Sequence, residues 1–273
     1  MGKRLTEAEI ERFRADGVVF PVRMFSEPEM AEKLTALEAV EASRAGRIPP
    51  FLNAKIHLLA PWLWDIVHHP SILDAVEDLL GPDLLCWGTS FIIKNGPNAR
   101  YVTWHQDQTH WSLTKPRAVT CWLAFTPSTL ENGGVRMIPG SNHSILEHRD
   151  SRDRLNMLGR REQVIGEVDE SRALDIVLRP GEASLHDPLI VHGSPPNRST
   201  QRRIGFAIRY IPAEVAQRGG QRNSATHVRG RDYGHFEPEF APAAAFDAEA
   251  LRHHASSVRL GMATIFGDGE PAA

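Results

Sequence analysis

The chain has 273 residues, of which 41% are hydrophobic, enough to bury one sizeable core. Its 31 basic and 34 acidic residues are mixed along the sequence and leave a formal charge of −3, so it carries no basic footprint for nucleic acid or acidic lipid. The two cysteines, Cys86 and Cys121, make neither a disulfide framework nor a CxxC pair, which fits a reducing cytoplasm.

The opening "MGKRLTEAEIERFRADG" is charged where a signal peptide would be apolar, and no run reaches the roughly 20 apolar residues of a membrane span. A cytoplasmic protein without membrane or nucleic-acid partners is the expectation, and no sequence feature fixes an oligomeric state. Thr6 and Glu9 have capping-box spacing, with Leu5 and Ile10 placed as a hydrophobic staple, so a helix should run from Glu7 and stop at Gly17. "VVFPV" reads as a short strand. Ser26 and Glu29 repeat the capping pattern ahead of "PEMAEKLTALEAVEAS", and Ser71 precedes "ILDAVEDLLGP", whose Gly-Pro ending stops a helix. Residues 1–81 thus read as a helical support.

From "LLCWGTSFIIK" (84–94) the pattern changes to short β-branched and aromatic runs between turns: "RYVTWHQD", "AVTCWLAF", "VRMIPG", "LDIVLRPG", "ASLHDPLIVHG" and "RIGFAIRYI". Such runs predict a β-sandwich or barrel over 82–212, not βαβ units. The charged segment 142–172 interrupts them and reads as a partly helical surface insertion. Beyond Pro212, residues 213–273 lose periodicity and read as a lid or extension, with 226–239 expected over the barrel mouth or at a subunit contact. The final "GDGEPAA" is expected to fray. No linker divides the chain, so 1–273 is taken as one domain.

In "WHQD" a strand would point His105 and Asp107 the same way, about 7 Å apart. Alone, that pair reads as a solvated strand end. The later "HDPLIVHGSPPNRS" adds His186 and His192, and two histidines with one carboxylate form the facial triad of non-haem Fe(II) oxygenases. Pro188 breaks the register between the two, and His192 lies at the strand end, so His192 is the chosen ligand and His186 a structural residue. An enzyme using 2-oxoglutarate also needs a deep cation for the distal carboxylate, for which arginine's planar fork is suited. In "RRIGFAIRY", Arg203 shares its face with Gly205, Ala207 and Arg209, small residues that leave room for a ligand, whereas Arg202 shares its face with Ile204, Phe206 and Ile208. Arg203 is therefore preferred.

"WHQD", "VTCWLAF", "ENGGVRMIPGSNH" and "HGSPPNRSTQRRIGFAIRY" together resemble the phytanoyl-CoA dioxygenase family of Fe(II)/2-oxoglutarate oxygenases, from about Thr6 to Pro212. The resemblance implies a mainly β fold with flanking helices, a cupin-like double-stranded β-helix or jelly roll. It implies iron ligands at His105, Asp107 and His192. It also implies a 2-oxoglutarate pocket at Arg203, with Ser194 as hydroxyl partner, Trp122 beside the cosubstrate, and Lys94 as a further candidate. Read without it, Ser194 equally caps the turn into "PPN" and Trp122 belongs to the core. The implied reaction takes O2 and 2-oxoglutarate, releases succinate and CO2, and hydroxylates an unactivated C–H bond of a small molecule. Halogenating relatives replace the carboxylate ligand by a small residue, so Asp107 argues for hydroxylation. The substrate is anionic if Arg136, Arg209 and Arg229 form a cationic pocket, although arginines more often decorate solvated faces. Competing readings are a cupin-like metal hydrolase or isomerase, since zinc accepts the same donors, and a non-enzymatic small-molecule binding protein.

Overall fold

A computed structural model describes residues 2–150, 153–158, 162–164, 168–218 and 222–266. The first turn signals act as the sequence suggests. Thr6 and Ser26 cap helices α1 (Glu7–Asp16) and α2 (Glu27–Ala42), each in a reciprocal capping box with Glu9 or Glu29, and Gly17 ends α1 in the left-handed conformation. Between them β1 (Val18–Arg23) is a strand. Short helices α3 (Pro50–Asn53) and α4 (Pro61–Val67) follow, and then α5 (Pro70–Leu80). Helix α5 begins at Pro70 rather than after Ser71, because proline at the first turn gives up only an N–H that would be unpaired there anyway. Its Ile72, Leu73, Val76 and Leu80 are buried, and each large apolar side chain so removed from water contributes roughly 1.5–3 kcal/mol.

The β region comprises β2 (Leu84–Lys94), β3 (Val102–His105), β4 (Val119–Ala124), β5 (Arg136–Met137), β6 (His148–Asp150), β7 (Glu162–Val164), β8 (Leu174–Asp175), β9 (Glu182–His186), β10 (His192–Ser194), β11 (Arg203–Pro212), β12 (Ser224–Arg229) and β13 (Glu237–Pro238). Most of them form a seven-stranded sheet, ordered β1-β9-β4-β11-β2-β12-β13, and a four-stranded sheet, β3-β10-β5-β8. One face of the larger sheet, with Cys121, Leu123, Leu185, Ile204, Phe206 and Ile208, packs on the N-terminal helices. Its other face, with Trp122, Ala124 and Ala207, meets Val135, Met137 and Ile190 of the smaller sheet side, as in a jelly roll. Period-two alternation thus gives every central strand one helix-facing and one inward row.

Within 142–172 the described residues pair as strands β6 and β7, followed by one 3-10 turn at Glu170–Arg172, so strand pairing replaces most of the expected helix there. The stretch 226–239 lies on the far flank of the larger sheet, where β12 pairs with β2 at Leu84–Cys86. A buried network fastens it. Lys55 Nζ donates to Glu239 Oε1 (2.7 Å) and to the Trp87 and Ser224 carbonyls, while Thr226 donates to the other Glu239 oxygen (2.7 Å). Helix α6 (Ala248–Phe266) adds a bond between His254 Nε2 and the Ala54 carbonyl (2.7 Å). Among the described residues no helix is long and apolar enough to cross a membrane.

Candidate active site

His105 ends β3 and His192 begins β10, and the antiparallel ladder sets them directly opposite each other, with ring centroids 4.1 Å apart. The chain does not continue as a strand to Asp107. It turns into a 3-10 segment at Asp107–His110, which carries the carboxylate back, with Oδ1 3.5 Å from His105 Nε2 and 4.0 Å from His192 Nε2. One ligand atom from each residue lies within 4.8 Å of the others. Each Nδ1 faces a backbone carbonyl, His105 that of Thr103 (2.9 Å) and His192 that of Ile190 (3.0 Å). Those bonds place the ring proton on Nδ1 and leave both Nε2 lone pairs aimed at one point, the arrangement seen in metal-bound histidines. Burial and the neighbouring His105 push His192 down to about 4, so the ring is neutral at neutral pH. Burial opposes ionisation of Asp107, but the His105 ring beside it, the neighbouring His192 and the Arg209 guanidinium hold its carboxyl far below the usual range. Two imidazoles and one carboxylate make a donor set that fits Fe(II).

Gln106 holds the turn. Its amide nitrogen donates to the Ser144 (2.8 Å) and Leu189 carbonyls, and its Oε1 accepts from the Leu146 N–H (2.7 Å). Two loops, one before β6 and one between β9 and β10, therefore meet on the side chain between the two ligand candidates. The side chain of His110, at the end of that 3-10 segment, lies outside the described residues.

Beside the triad opens a cavity of about 350 Å³, in the size range of small-molecule sites. Arg203, Trp122, Ser194, Arg209 and His186 line it together with the triad. Arg203 is 0% exposed, yet its Nε and Nη2 have no hydrogen-bond partner. Its guanidinium stands 5.4 Å from the Trp122 ring, and burial pulls its pKa down to about 9. A buried cation without an anion is costly, and this unpaired planar fork has the shape to accept a carboxylate. Lys94, opposite Arg203 in the β2–β11 ladder, donates to Ser194 Oγ (2.6 Å) and to the Ser194 and Pro195 carbonyls. Burial and the charge of Arg203 lower Lys94 to about 6. Lys94 thereby positions Ser194 and stands behind the cavity wall.

The inward row of β11 departs from expectation at one point. The space above Gly205 belongs to the Trp122 indole, with which any Cβ there would collide, so the glycine admits the tryptophan and not a ligand. Of the three arginines considered for a substrate, only Arg209 lines the cavity. Arg136 is bound outside by Asp175 (2.9 Å) and Glu170 (3.2 Å), and Arg229 by Asp74 (2.7 Å) and Glu77 (2.8 Å) on α5. The stretch 226–239 supplies no lining residue among those described. Residues to which the sequence reading gave no ligand-binding role are Thr120, Ser184 and His186, whose Oγ1, Oγ and Nδ1 are buried without a partner. The signal was a polar residue on the same strand face as Trp122 in "VTCWLAF", and another beside His186 in "ASLH". Asn53 also reaches the cavity, exchanging two 2.8 Å bonds with the backbone of Phe91.

The chain is 24% identical over 157 residues to an ectoine dioxygenase of Bordetella parapertussis, covering 52% of this chain and 51% of that one. It spans about half the length of the curated relatives it matches first. Among solved structures, the apo non-heme monooxygenase ThoJ superposes with a TM-score of 0.83 at 36% identity over 94% of this chain and 96% of that one. CytC3 with Fe(II) and alpha-ketoglutarate gives 0.65 at 29% identity over 86% and 93%. The family model for phytanoyl-CoA dioxygenase (PhyH) matches residues 13–205, and the chain belongs to that family.

Proposed function

We propose that the protein is an Fe(II)- and 2-oxoglutarate-dependent dioxygenase that hydroxylates an unactivated C–H bond of a small, anionic molecule. The observation that carries this reading is Arg203, fully buried and unpartnered in the cavity that also contains His105, Asp107 and His192. Ferrous iron bound by the triad, with 2-oxoglutarate, supplies O2 activation coupled to release of succinate and CO2. The chain's own residues do the rest. His105 and His192 would hold the ion through Nε2 and Asp107 through a carboxylate oxygen, a three-donor set that would leave coordination positions for cosubstrate and O2. Arg203 takes the distal carboxylate in a fork, Trp122 walls the cosubstrate, and the Ser194 hydroxyl, held by Lys94, completes that pocket. Both sheets exclude bulk water around the reacting bond. A hydrolase or isomerase on the same fold needs the metal but has no use for an unpaired buried guanidinium, which favours the oxygenase.

Anaerobic titration with Fe(II) and 2-oxoglutarate tests the proposal. A visible metal-to-ligand charge-transfer band should appear with wild type, and Asp107→Ala should lose both the band and succinate formation. An intact protein that gives no band, or Asp107→Ala with unchanged succinate output, refutes it.

A further inference from the structure

We propose that Arg209, Thr120 and His186 form a subsite for a carboxylate of the primary substrate, separate from the Arg203 fork. The inference rests on the dioxygenase reading and names the chemistry its second ligand must have.

The three residues are one row across three adjacent strands. Arg209 on β11 is the register partner of Thr120 on β4, and Thr120 is the partner of His186 on β9. Their side chains share the inward face, and all three line the cavity. Thr120 and His186 are each 2% exposed, and Thr120 Oγ1 and His186 Nδ1 have no hydrogen-bond partner in the protein. Orphaned buried polar atoms are uncommon and costly, and two from adjoining residues on one cavity wall point to a ligand that satisfies them. Arg209 completes the row with a cation. Its hydrogen bond runs from Nη1 to the Ser90 hydroxyl (3.2 Å), and among the described residues no carboxylate lies within salt-bridge distance.

Charge argues the same way. A dication and two guanidiniums, set against Asp107 and the two carboxylates of 2-oxoglutarate, leave one positive charge unbalanced even with Lys94 counted as neutral. Arg203 and Arg209 are six residues apart on β11, on the order of 20 Å of backbone, with Ala207 between them lining the cavity. One guanidinium fork, one hydroxyl and one imidazole nitrogen match the two oxygens of a planar carboxylate. The cavity of about 350 Å³ also has to hold 2-oxoglutarate, which restricts the substrate to a small organic acid or amino acid.

Trifluoroacetate serves as a carboxylate probe that needs no knowledge of the substrate. The full chain is loaded with Co(II) in place of Fe(II) and saturated with 2-oxoglutarate, each binding event being followed by absorption. Paramagnetic broadening of the 19F signal is then titrated. Wild type should broaden the signal saturably, Arg209→Gln should weaken binding at least ~10-fold, and the isosteric Thr120→Val roughly 3- to 10-fold. Arg222→Gln, which removes an exposed surface cation, should change nothing. Thr120→Val keeps the test decisive if Arg209→Gln folds poorly, because no protein partner of Thr120 Oγ1 is lost. Broadening that is equal in wild type and both cavity variants overturns the subsite, as does no broadening at all. Broadening only when 2-oxoglutarate is omitted overturns it too, because the row would then serve the cosubstrate's own carboxylate. Failure of Co(II) or 2-oxoglutarate to bind would instead strike the dioxygenase reading, and the subsite with it.

Discussion

His105 and His192 are direct partners across the antiparallel β3–β10 pair, and their rings stand 4.1 Å apart. Backbone pairing fixes that approach, and backbone carbonyls at 2.9 and 3.0 Å fix which nitrogen of each ring carries the proton. Two donors of the triad are therefore oriented by the fold itself. The third is not, because Asp107 follows the end of the strand and depends on how the turn is held.

That dependence falls on Gln106, whose amide ties the turn to the Ser144 and Leu189 carbonyls and the Leu146 N–H. Gln106→Leu keeps the side-chain bulk and removes all three bonds. Metal affinity should fall about 10- to 100-fold, the range for residues that orient metal ligands. Co(II) titration measures it. Gln106→Glu, which keeps an acceptor for the Leu146 N–H, should recover part of the loss, whereas a purely structural role would lower the melting temperature and leave metal affinity unchanged.

Arg203 should trade stability against binding. Replacing this 0% exposed guanidinium by methionine removes an unpaired buried cation and should raise apo-protein stability by about 1–3 kcal/mol. The same change should cost at least ~100-fold in 2-oxoglutarate affinity, since a charge-assisted bidentate pair is lost. Denaturant unfolding with and without 2-oxoglutarate reads both effects. Wild type should gain about 2.7 kcal/mol at 100 times the dissociation constant, and Arg203→Met almost nothing at that concentration.

The parts of the site visible in sequence were those that obey strand alternation or ride on a short motif. Arg203 and Ile204 fall on opposite faces of β11 because the strand is regular there, and the whole inward row follows. Alternation gave a misleading account of His105 and Asp107, since the strand ends at His105 and the pair meets through a 3-10 turn. It also could not reveal that Trp122 fills the gap over Gly205, which requires knowing that β4 and β11 are neighbours. The pairing of Thr120 with His186 was hidden for the same reason, because their row exists only once β11, β4 and β9 lie side by side. For Arg136 and Arg229 the ordinary preference of arginines for solvated faces was a better guide than a cationic pocket, and their acidic partners on β8 and α5, distant in sequence, appear only in the fold.

Gly205 offers a direct check on the tryptophan wall. Gly205→Ala puts a methyl group into the Trp122 indole and should destabilise by about 1–3 kcal/mol through overpacking. The displaced indole stands beside Arg203, so 2-oxoglutarate affinity should drop as well. Combining the change with Trp122→Leu should cost less stability than the sum of the two single changes, because the shorter leucine leaves free the space that the added methyl group needs. Strict additivity in thermal denaturation would show that the two positions do not compete.

Asp187 makes a prediction about pH that is independent of the metal. Burial raises its carboxyl from the usual 3.8 to about 6, against the lowering effects of the Leu189 N–H at 2.8 Å and of nearby His143. Between those two values the folded protein holds a proton that the unfolded chain has released. The contribution of this group to stability is thus fully present below about 3.8 and lost as pH rises through about 6. Asp187→Asn keeps an oxygen for the Leu189 N–H and carries no charge, so it should be free of that loss. Relative to wild type the variant should gain on the order of 2–3 kcal/mol at pH 7.5, and progressively less as pH falls towards 4.5. Paired denaturant curves across that range measure the difference, and a variant advantage that does not change with pH would rule out a titrating buried carboxyl at this position.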